Sequence, residues 1–487
     1  MCGIFGIRNE YRPAGSDIFV GCKALQHRGK ESGGIATYDE VNDVIDKHVG
    51  MGEMPLVFAN RKAETLRGRV GVGHVRYSNT GSSSVHNAQP MFRHYDQEEF
   101  ALCFNGQIIN MSELLCEFGE DYKGGASLQD SDYSDTRLVA DLISASPAPI
   151  FQDALIDVFR KLKGAFCFVI LYKGEIYAAR DPYGVHPLQI ARRGNDYIVA
   201  SESCAFDHLE VADDEGGIQT PQFIRDVRPG ELVVIGESGI RSHMWTAACE
   251  FKFDIFEIIY FLRPDSKIHG VRVALARRKM GYYLAEEHPT EGLIVPVKSS
   301  GEHHAWGYFL RLKEMGYDVD WEPDALLRPN TSGRIWVEPY EEVRQKYLRE
   351  KFNAIRELII GRDVTLVDDS IVRGTTISRV IALCRRAGAR SVHVRSGSDM
   401  YFNPDIYGND TYKDYVKETL IARRFDRDVS RIAEEIGADS LGYLSLKKIK
   451  QAILDVAERE WPFRMDSFHD AVFTGNYALG TGDFDIK

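Results

Sequence analysis

The chain has 487 residues, of which 44% are hydrophobic and 27% charged, with a net charge of −12. That is a globular composition too long for one ordinary core, so two large domains are expected. No run approaches the 18 or more apolar residues of a membrane span, and the negative charge disfavours non-specific nucleic-acid binding. The N-terminus lacks a basic region leading into an apolar core and a cleavage site, so a cytoplasmic location is expected. The eight cysteines (2, 22, 103, 116, 167, 204, 249 and 384) form no C-x-x-C pair, which speaks against a zinc site and against a disulfide framework.

In chain order, "MCGIFGI" opens the sequence with a cysteine at position two, and short β-rich segments follow: "RVGVGHVRYS", "EEFALCFNGQIIN", "AFCFVILYKGEIYAARD", "DYIVASES" and "GELVVIG". Each alternates or runs apolar over strand length. Helical periodicity marks "DTRLVADLISAS" and "IFQDALIDVFRKLKG". Past about Ile240 the texture changes to helices separated by single strands: "RVALARRKMGYYLAEEH", "GLIVPVKSSG", "HAWGYFLRLKEMG", "DVTLVDDS", "TISRVIALCRRAGA" and "SVHVRSGS". That alternation predicts crossover units on a parallel sheet. The boundary falls near 235–255, giving an α+β unit over 2–245 and an α/β parallel-sheet unit over 246–450. A C-terminal helix, "LKKIKQAILDVAER", and an irregular Gly-rich tail complete 451–487.

Two stretches carry chemistry. In "VTLVDDSIVRGTT" a strand delivers Asp368 and Asp369 to a loop ahead of a helix, the place where open parallel sheets bind ligands. Backbone N–H groups at Arg373 to Thr376, with the hydroxyls of Thr375 and Thr376, suit a terminal phosphate at a helix N-terminus, and Gly374 permits close approach. The acid pair suits sugar hydroxyls or a cationic transition state; a simple helix cap is the competing reading. At the other end, removal of Met1 would place an α-amine beside the Cys2 thiol, so that one residue supplies both nucleophile and base.

"VTLVDDSIVRGTT" resembles the fingerprint of type I phosphoribosyltransferases, which use phosphoribosyl pyrophosphate (PRPP). "MCGIFGI", "LQHRGKESGGIA", "GHVRYSNTG" and "FNGQIIN" together resemble the class II glutamine amidotransferases, whose fold is the N-terminal-nucleophile αββα sandwich. The two in this order are similar to the glutamine PRPP amidotransferase family, whose landmarks "ARDPYGVHPL", "VASES", "VRPGELVVI", "IYFLRPDS" and "ARRKMG" extend the resemblance over nearly the whole chain. The resemblance implies that Cys2 attacks the glutamine amide, that Asn105 and Gly106 form the oxyanion hole, and that Arg76, Asp135 and Arg28 bind glutamine. It further implies that Asp368, Asp369, Ser370, Arg373, Gly374, Thr375 and Thr376 bind PRPP together with Ser300 and Gly301 of a pyrophosphate loop. Mg²⁺ would accompany the pyrophosphate near Asp368 and Asp369. The segment from Arg328 to Arg362, with eight basic and five acidic side chains, contains a stretch resembling the family's mobile loop, with Lys346, Arg349 and Lys351 as pyrophosphate contacts. Ammonia would pass internally to C1 of PRPP, purine nucleotides would be feedback inhibitors, and a homodimer or homotetramer is implied.

Several places depart from the family pattern. The pyrophosphate loop reads "VPVKSSGEHHAWGY", with Lys298 as an added candidate phosphate contact and with His303 and His304, adjacent on a helix, expected at its solvated start. Phe104, His186 and Arg137 stand where His, Arg and an acid are usual. Where relatives carry four cluster cysteines this chain has Asp254, Asp405, His469 and Val472, with Cys249 five residues off register, so no iron–sulfur cluster is expected. The altered loop leaves open a diverged enzyme with another sugar phosphate or acceptor, and a non-catalytic PRPP sensor remains a third reading.

Overall fold

A computed structural model describes residues 1–77, 83–118, 133–212, 217–247, 250–327, 352–409, 411–458 and 463–486. Strand Gly164–Tyr172 shows why the first half folds as it does. Cys167, Val169 and Leu171 point to one apolar cluster, and Phe166, Phe168, Ile170 and Tyr172 point to another. A strand apolar on both faces must be covered on both faces.

One cover is a second sheet. A six-stranded antiparallel sheet (239–244, 231–236, 175–180, 164–172, 98–108, 91–95, in spatial order) stacks on a seven-stranded one (222–226, 189–193, 196–200, 3–8, 70–76, 32–39, 44–51). The other covers are helices: Asp135–Ser144 and Phe151–Lys161 lie on the outer face of the six-stranded sheet, and Gly15–Ala24 on that of the seven-stranded sheet. The result is the αββα sandwich expected. Gly3–Arg8 is central in its sheet, paired on one side with Val70–Arg76 and on the other with Asp196–Ala200. Cys2 therefore enters the middle of the sandwich.

The second half contains a five-stranded parallel sheet ordered 319–321, 292–296, 363–368, 391–396, 440–443. Helices Val273–Glu287, Glu302–Glu314 and Leu446–Val456 cover one face, and Thr375–Arg386 and Val429–Ile436 the other. The strand Asp363–Asp368 is central, which sends the acid pair out at the carboxyl edge between neighbouring loops. No helix among the described residues is long and apolar enough to cross a membrane.

The terminal segment is more ordered than its composition suggests. The helix Leu446–Val456 runs across position 450, a strand Phe468–His469 pairs in parallel with Phe253–Asp254, and Ala471–Thr474 is a short helix. The chain then returns to the first half: Asp483 accepts from the Ser112 N–H and donates its own N–H to the Ile109 carbonyl, and Tyr407 Oη donates to the Gly480 carbonyl. Ile109, Ala165, Val185, Ile406 and Tyr407 form a small apolar cluster across this seam.

Asp254, Asp405, His469 and Val472 lie together at the seam. Asp254 is in register with His469, the Asp405 carboxyl is close enough to perturb Asp254, and Val472 accepts from the Phe402 and Asn403 N–H groups. Two carboxyls, an imidazole and a valine offer no thiolate, so this donor set does not fit an iron–sulfur cluster. Burial, reinforced by Asp405 and Glu257, pushes the Asp254 carboxyl well above its ordinary range, while its Oδ1 accepts from the Phe256 N–H. A carboxyl with a raised folded pKa is fully tolerated at low pH and costs stability as pH rises through that pKa. Asp254→Asn keeps the Oδ1 acceptor and removes the charge. Calorimetric melts are expected to show the variant gaining on the parent between pH 5 and pH 8; an advantage independent of pH would contradict this.

Candidate active site

The peptide nitrogen of Cys2 donates to Asn105 Oδ1 at 2.8 Å, and its carbonyl accepts from Arg28 Nε at 2.9 Å. Its Sγ faces the Tyr77 carbonyl oxygen at 3.5 Å. Antiparallel pairing of Gly3 with Val75 sets the thiol beside Arg76. Burial raises the Cys2 thiol, and nearby Arg76 and Asp135 act on it in opposite senses, which places both expected glutamine-binding residues within electrostatic reach of the sulfur. Arg76 is buried and pairs with Glu31 at 2.6 Å. Asp135 begins the helix capped by Ser134 and accepts from the Thr136 N–H at 2.7 Å.

Asn105 Nδ2 is buried and has no hydrogen-bond partner among the described residues. A buried amide N–H left unmatched is costly, and here the unmatched donor is fixed next to the nucleophile because Oδ1 of the same side chain holds Cys2. Gly106 follows with φ +144°, and a Cβ there would stand 2.1 Å from the Ala165 carbonyl oxygen. Only glycine permits that backbone. The pair has the character of an oxyanion hole.

Arg28, expected to bind glutamine, is held here by partners within the protein. Its guanidinium has no exposed surface and is engaged by the Cys2 carbonyl, Glu202 and Glu257, the last bidentately. Burial alone would raise both glutamates, but Arg28, with His27 on Glu202 and His186 on Glu257, holds both carboxyls below the ordinary range. Nothing in the local sequence around Arg28 announces partners 174 and 229 residues away.

Met1 precedes Cys2 and is itself buried, its ammonium lowered to about 6 by burial. The nitrogen held by Asn105 is thus a peptide nitrogen, and cleavage immediately before Cys2 would turn it into the α-amine.

The second site is a cavity of about 620 Å³ at the carboxyl edge of the parallel sheet. Asp368, Asp369, Ser370, Arg373, Gly374, Thr375 and Thr376 line it together with Ser299 and Ser300. Burial, then the charge of Asp369, pushes the Asp368 carboxyl well above its usual range; Ser300 Oγ donates to Asp368 at 3.3 Å and Ser370 Oγ to Asp369 at 2.6 Å. Gly374, at φ +79°, is the cap of the helix Thr375–Arg386, whose first N–H groups face the cavity with two threonine hydroxyls. Gly301 stands at the start of the 302–314 helix, where a Cβ would lie 2.3 Å from the Val367 carbonyl oxygen, so glycine lets the loop approach the acid-bearing strand. Arg373 Nε donates to Asp414 at 2.8 Å.

Other placements differ from expectation. Lys298 is paired with Asp324 at 2.9 Å and with Glu302 at 3.7 Å. His304 is completely buried rather than part of a solvated helix start, because the first turn of its helix is pressed against the helix Val273–Glu287. Phe104 stacks on Phe168 at 5.0 Å, His186 bonds the Tyr407 carbonyl, and Arg137 lies over the Tyr133 ring. Lys346, Arg349 and Lys351 lie outside the described residues. Arg277, a buried cation lowered to about 10 by burial, also lines the cavity, held by the Ile258 and Leu262 carbonyls. Its "ARRKMG" context carries no sign of a cavity-lining role.

His27 and Tyr77 from the first half line the same cavity. Tyr77 thereby touches both sites, its carbonyl at the Cys2 thiol and its residue in the wall of the phosphoribosyl-type cavity. Fold and sites together define an N-terminal-nucleophile glutamine amidotransferase joined to a type I phosphoribosyltransferase.

Residues 74–208 match the glutamine amidotransferase domain family. The chain is 34% identical to an amidophosphoribosyltransferase of Staphylococcus aureus (strain MRSA252), covering 100% of this chain and 92% of that protein. It is 35% identical to the amidophosphoribosyltransferase of Bacillus subtilis (strain 168), covering 93% and 89%. The structure superposes on glutamine phosphoribosylpyrophosphate amidotransferase from B. subtilis complexed with ADP and GMP, with a TM-score of 0.83, 33% identity, and 99% and 98% of the two chains covered. The chain belongs to the amidophosphoribosyltransferase family.

Asn105→Ala removes the unmatched donor beside Cys2. Glutamine hydrolysis by protein beginning at Cys2 is expected to lose roughly 10²–10³ in kcat, the typical effect of one oxyanion donor. A kcat within a factor of about three would show that the donor is not used.

Proposed function

We propose that this chain makes 5-phosphoribosylamine, pyrophosphate and glutamate from PRPP, glutamine and water, the first step of de novo purine synthesis. The observation that carries the reading is the shared wall: a nucleophile with an adjacent unmatched donor and a phosphate-suited cavity meet at Tyr77.

After cleavage before Cys2, the freed α-amine takes the thiol proton and Sγ attacks the glutamine amide carbon. The tetrahedral oxygen is met by Asn105 Nδ2 and the Gly106 N–H, donors already in place before charge develops. The amine returns its proton to the leaving nitrogen, ammonia departs, and water hydrolyses the thioester to glutamate. Arg76 suits the substrate carboxylate and Asp135 its ammonium.

In the second cavity the acid pair accepts the ribose hydroxyls. The Arg373–Thr376 turn takes the 5-phosphate, and the Ser300–Gly301 loop takes the pyrophosphate. Two carboxyls beside a phosphate-suited cavity fit Mg²⁺, which favours one or two carboxylates plus substrate oxygens; when bound it would neutralise charge on the departing pyrophosphate. Ammonia attacks C1 as the C1–O bond to pyrophosphate breaks. Because ammonia is largely protonated in neutral water, a path enclosed between Cys2 and this cavity keeps it nucleophilic. Lys346, Arg349 and Lys351 are proposed as pyrophosphate contacts on loop closure. Purine nucleotides are proposed as feedback ligands, a reading supported by the ADP and GMP in the B. subtilis relative's structure. A cytoplasmic homodimer or homotetramer completes the proposal.

Glutamate release by protein beginning at Cys2 is expected to be stimulated by PRPP with Mg²⁺. Cys2→Ala should abolish release outright. Asp368→Asn should leave the basal rate but remove the stimulation. Release indifferent to PRPP in the parent protein would overturn the assignment of the second substrate.

A further inference from the structure

His304 has no part in the scheme above, yet it is placed more tightly than most residues that do. Its side chain is completely buried, and among the described residues neither ring nitrogen has a hydrogen-bond partner at full geometry. Two glycines hold it. A Cβ on Gly281 would stand 1.8 Å from the His304 carbonyl oxygen, and one on Gly397 would stand 2.3 Å from its Cδ2, so the ring lies directly on the Gly397 backbone. The Gly397 N–H in turn donates to the Asp368 carbonyl at 2.7 Å. On its other side the ring faces the Ser300 backbone, one turn earlier in the chain, at a geometry short of a full hydrogen bond. His304 is thus wedged between that loop and the strand end that presents the acid pair.

Burial, with Arg277 and His303 nearby, keeps the imidazole neutral, so the ring has one N–H to donate and one nitrogen to accept. A leucine of similar volume would fill the space without leaving two polar atoms unmatched. The imidazole is explained if a partner reaches it in another state of the site, and the neighbour that can shift is the Ser300 peptide: the Ser300 hydroxyl meets Asp368 at 3.3 Å, the long end of hydrogen-bond distance, while the Gly301 N–H is anchored on the Val297 carbonyl. We propose that His304 is a positioning residue for the pyrophosphate loop, one ring nitrogen bonding the Ser300 backbone when the loop closes on the diphosphate of the phosphoribosyl donor. The proposal rests on the phosphoribosyltransferase reading of the cavity.

The test compares H304L with H304N, near-isosteric side chains of which only asparagine restores polar atoms, and H304A replaces H304L if the latter does not fold. Binding of magnesium pyrophosphate to the full chain is measured by titration calorimetry, alongside melting temperature and basal glutamate release. H304L is expected to bind about tenfold more weakly than the parent and H304N within about threefold of it, with H304L melting no lower than H304N, so that the weaker binder is not the less stable protein. Equal affinities for H304L and H304N, whether both weakened or both unchanged, would overturn the proposal, because packing alone would then account for the residue. A parent protein that fails to bind magnesium pyrophosphate overturns the cavity reading as well. A parent that binds it but shows no PRPP-dependent glutamate release overturns the reaction alone, and the comparison of the two variants still decides the role of His304.

Discussion

Arg28 carries its charge with no exposed side-chain surface, and the two carboxylates that balance it come from opposite halves of the chain. Removing one member of such a buried set leaves a bare charge in a medium that solvates it poorly, typically at a cost of about 3–5 kcal/mol. The geometry of the nucleophile hangs on the same group, because Arg28 Nε also holds the Cys2 carbonyl. Glu257 opens the short helical turn Glu257–Phe261, whose Tyr260 and Phe261 line the phosphoribosyl cavity. Glu202 also accepts from the Arg263 N–H and from Ser266 Oγ, next to the same cavity wall. One guanidinium thus fixes the backbone at Cys2 and the elements that frame the second site.

A seam of this kind suits a reaction whose intermediate must not reach solvent. Tyr77 and His27 from the first half line the cavity beside Phe256 and residues 260–264 of the second, and the Tyr77 carbonyl also meets the Cys2 thiol. The C-terminal segment adds a further tie, running from Tyr407 to Ile109 and Ser112 beyond the strand that carries Asn105 and Gly106. At the seam Asp254, Asp405 and His469 are buried together, and burial pushes both carboxyls above their ordinary range.

Much of this was legible in the sequence because periodicity and loop chemistry are local. The apolar run of 164–172 predicted a strand, and the ordered strand, acid pair, hydroxyls and glycine of 364–376 predicted a ligand loop at a helix N-terminus, which is where they lie. What the sequence hid depends on contacts between distant segments. Arg28 reads as a glutamine-binding candidate until its partners at 202 and 257 are in place. His304 reads as the solvated start of a helix until Gly281 and Gly397 are seen to enclose it, and Arg277 reads as one cation among several until its carbonyl partners turn it toward the cavity. Element boundaries shifted for a similar reason: the terminal segment looked irregular because its short strand and helix are stabilised by pairing with residues 253–254 and 402–403, not by their own propensity.

The central claim is that the two sites work through one enclosed path. The most direct test supplies [amide-¹⁵N]glutamine with PRPP and Mg²⁺ in a large excess of unlabelled ammonium, and measures the isotope in the trapped 5-phosphoribosylamine. The account predicts product nitrogen drawn almost wholly from glutamine. Product whose isotope is diluted in proportion to the unlabelled ammonium in solution would contradict it, and would mean that ammonia leaves one site for the solvent before reaching the other.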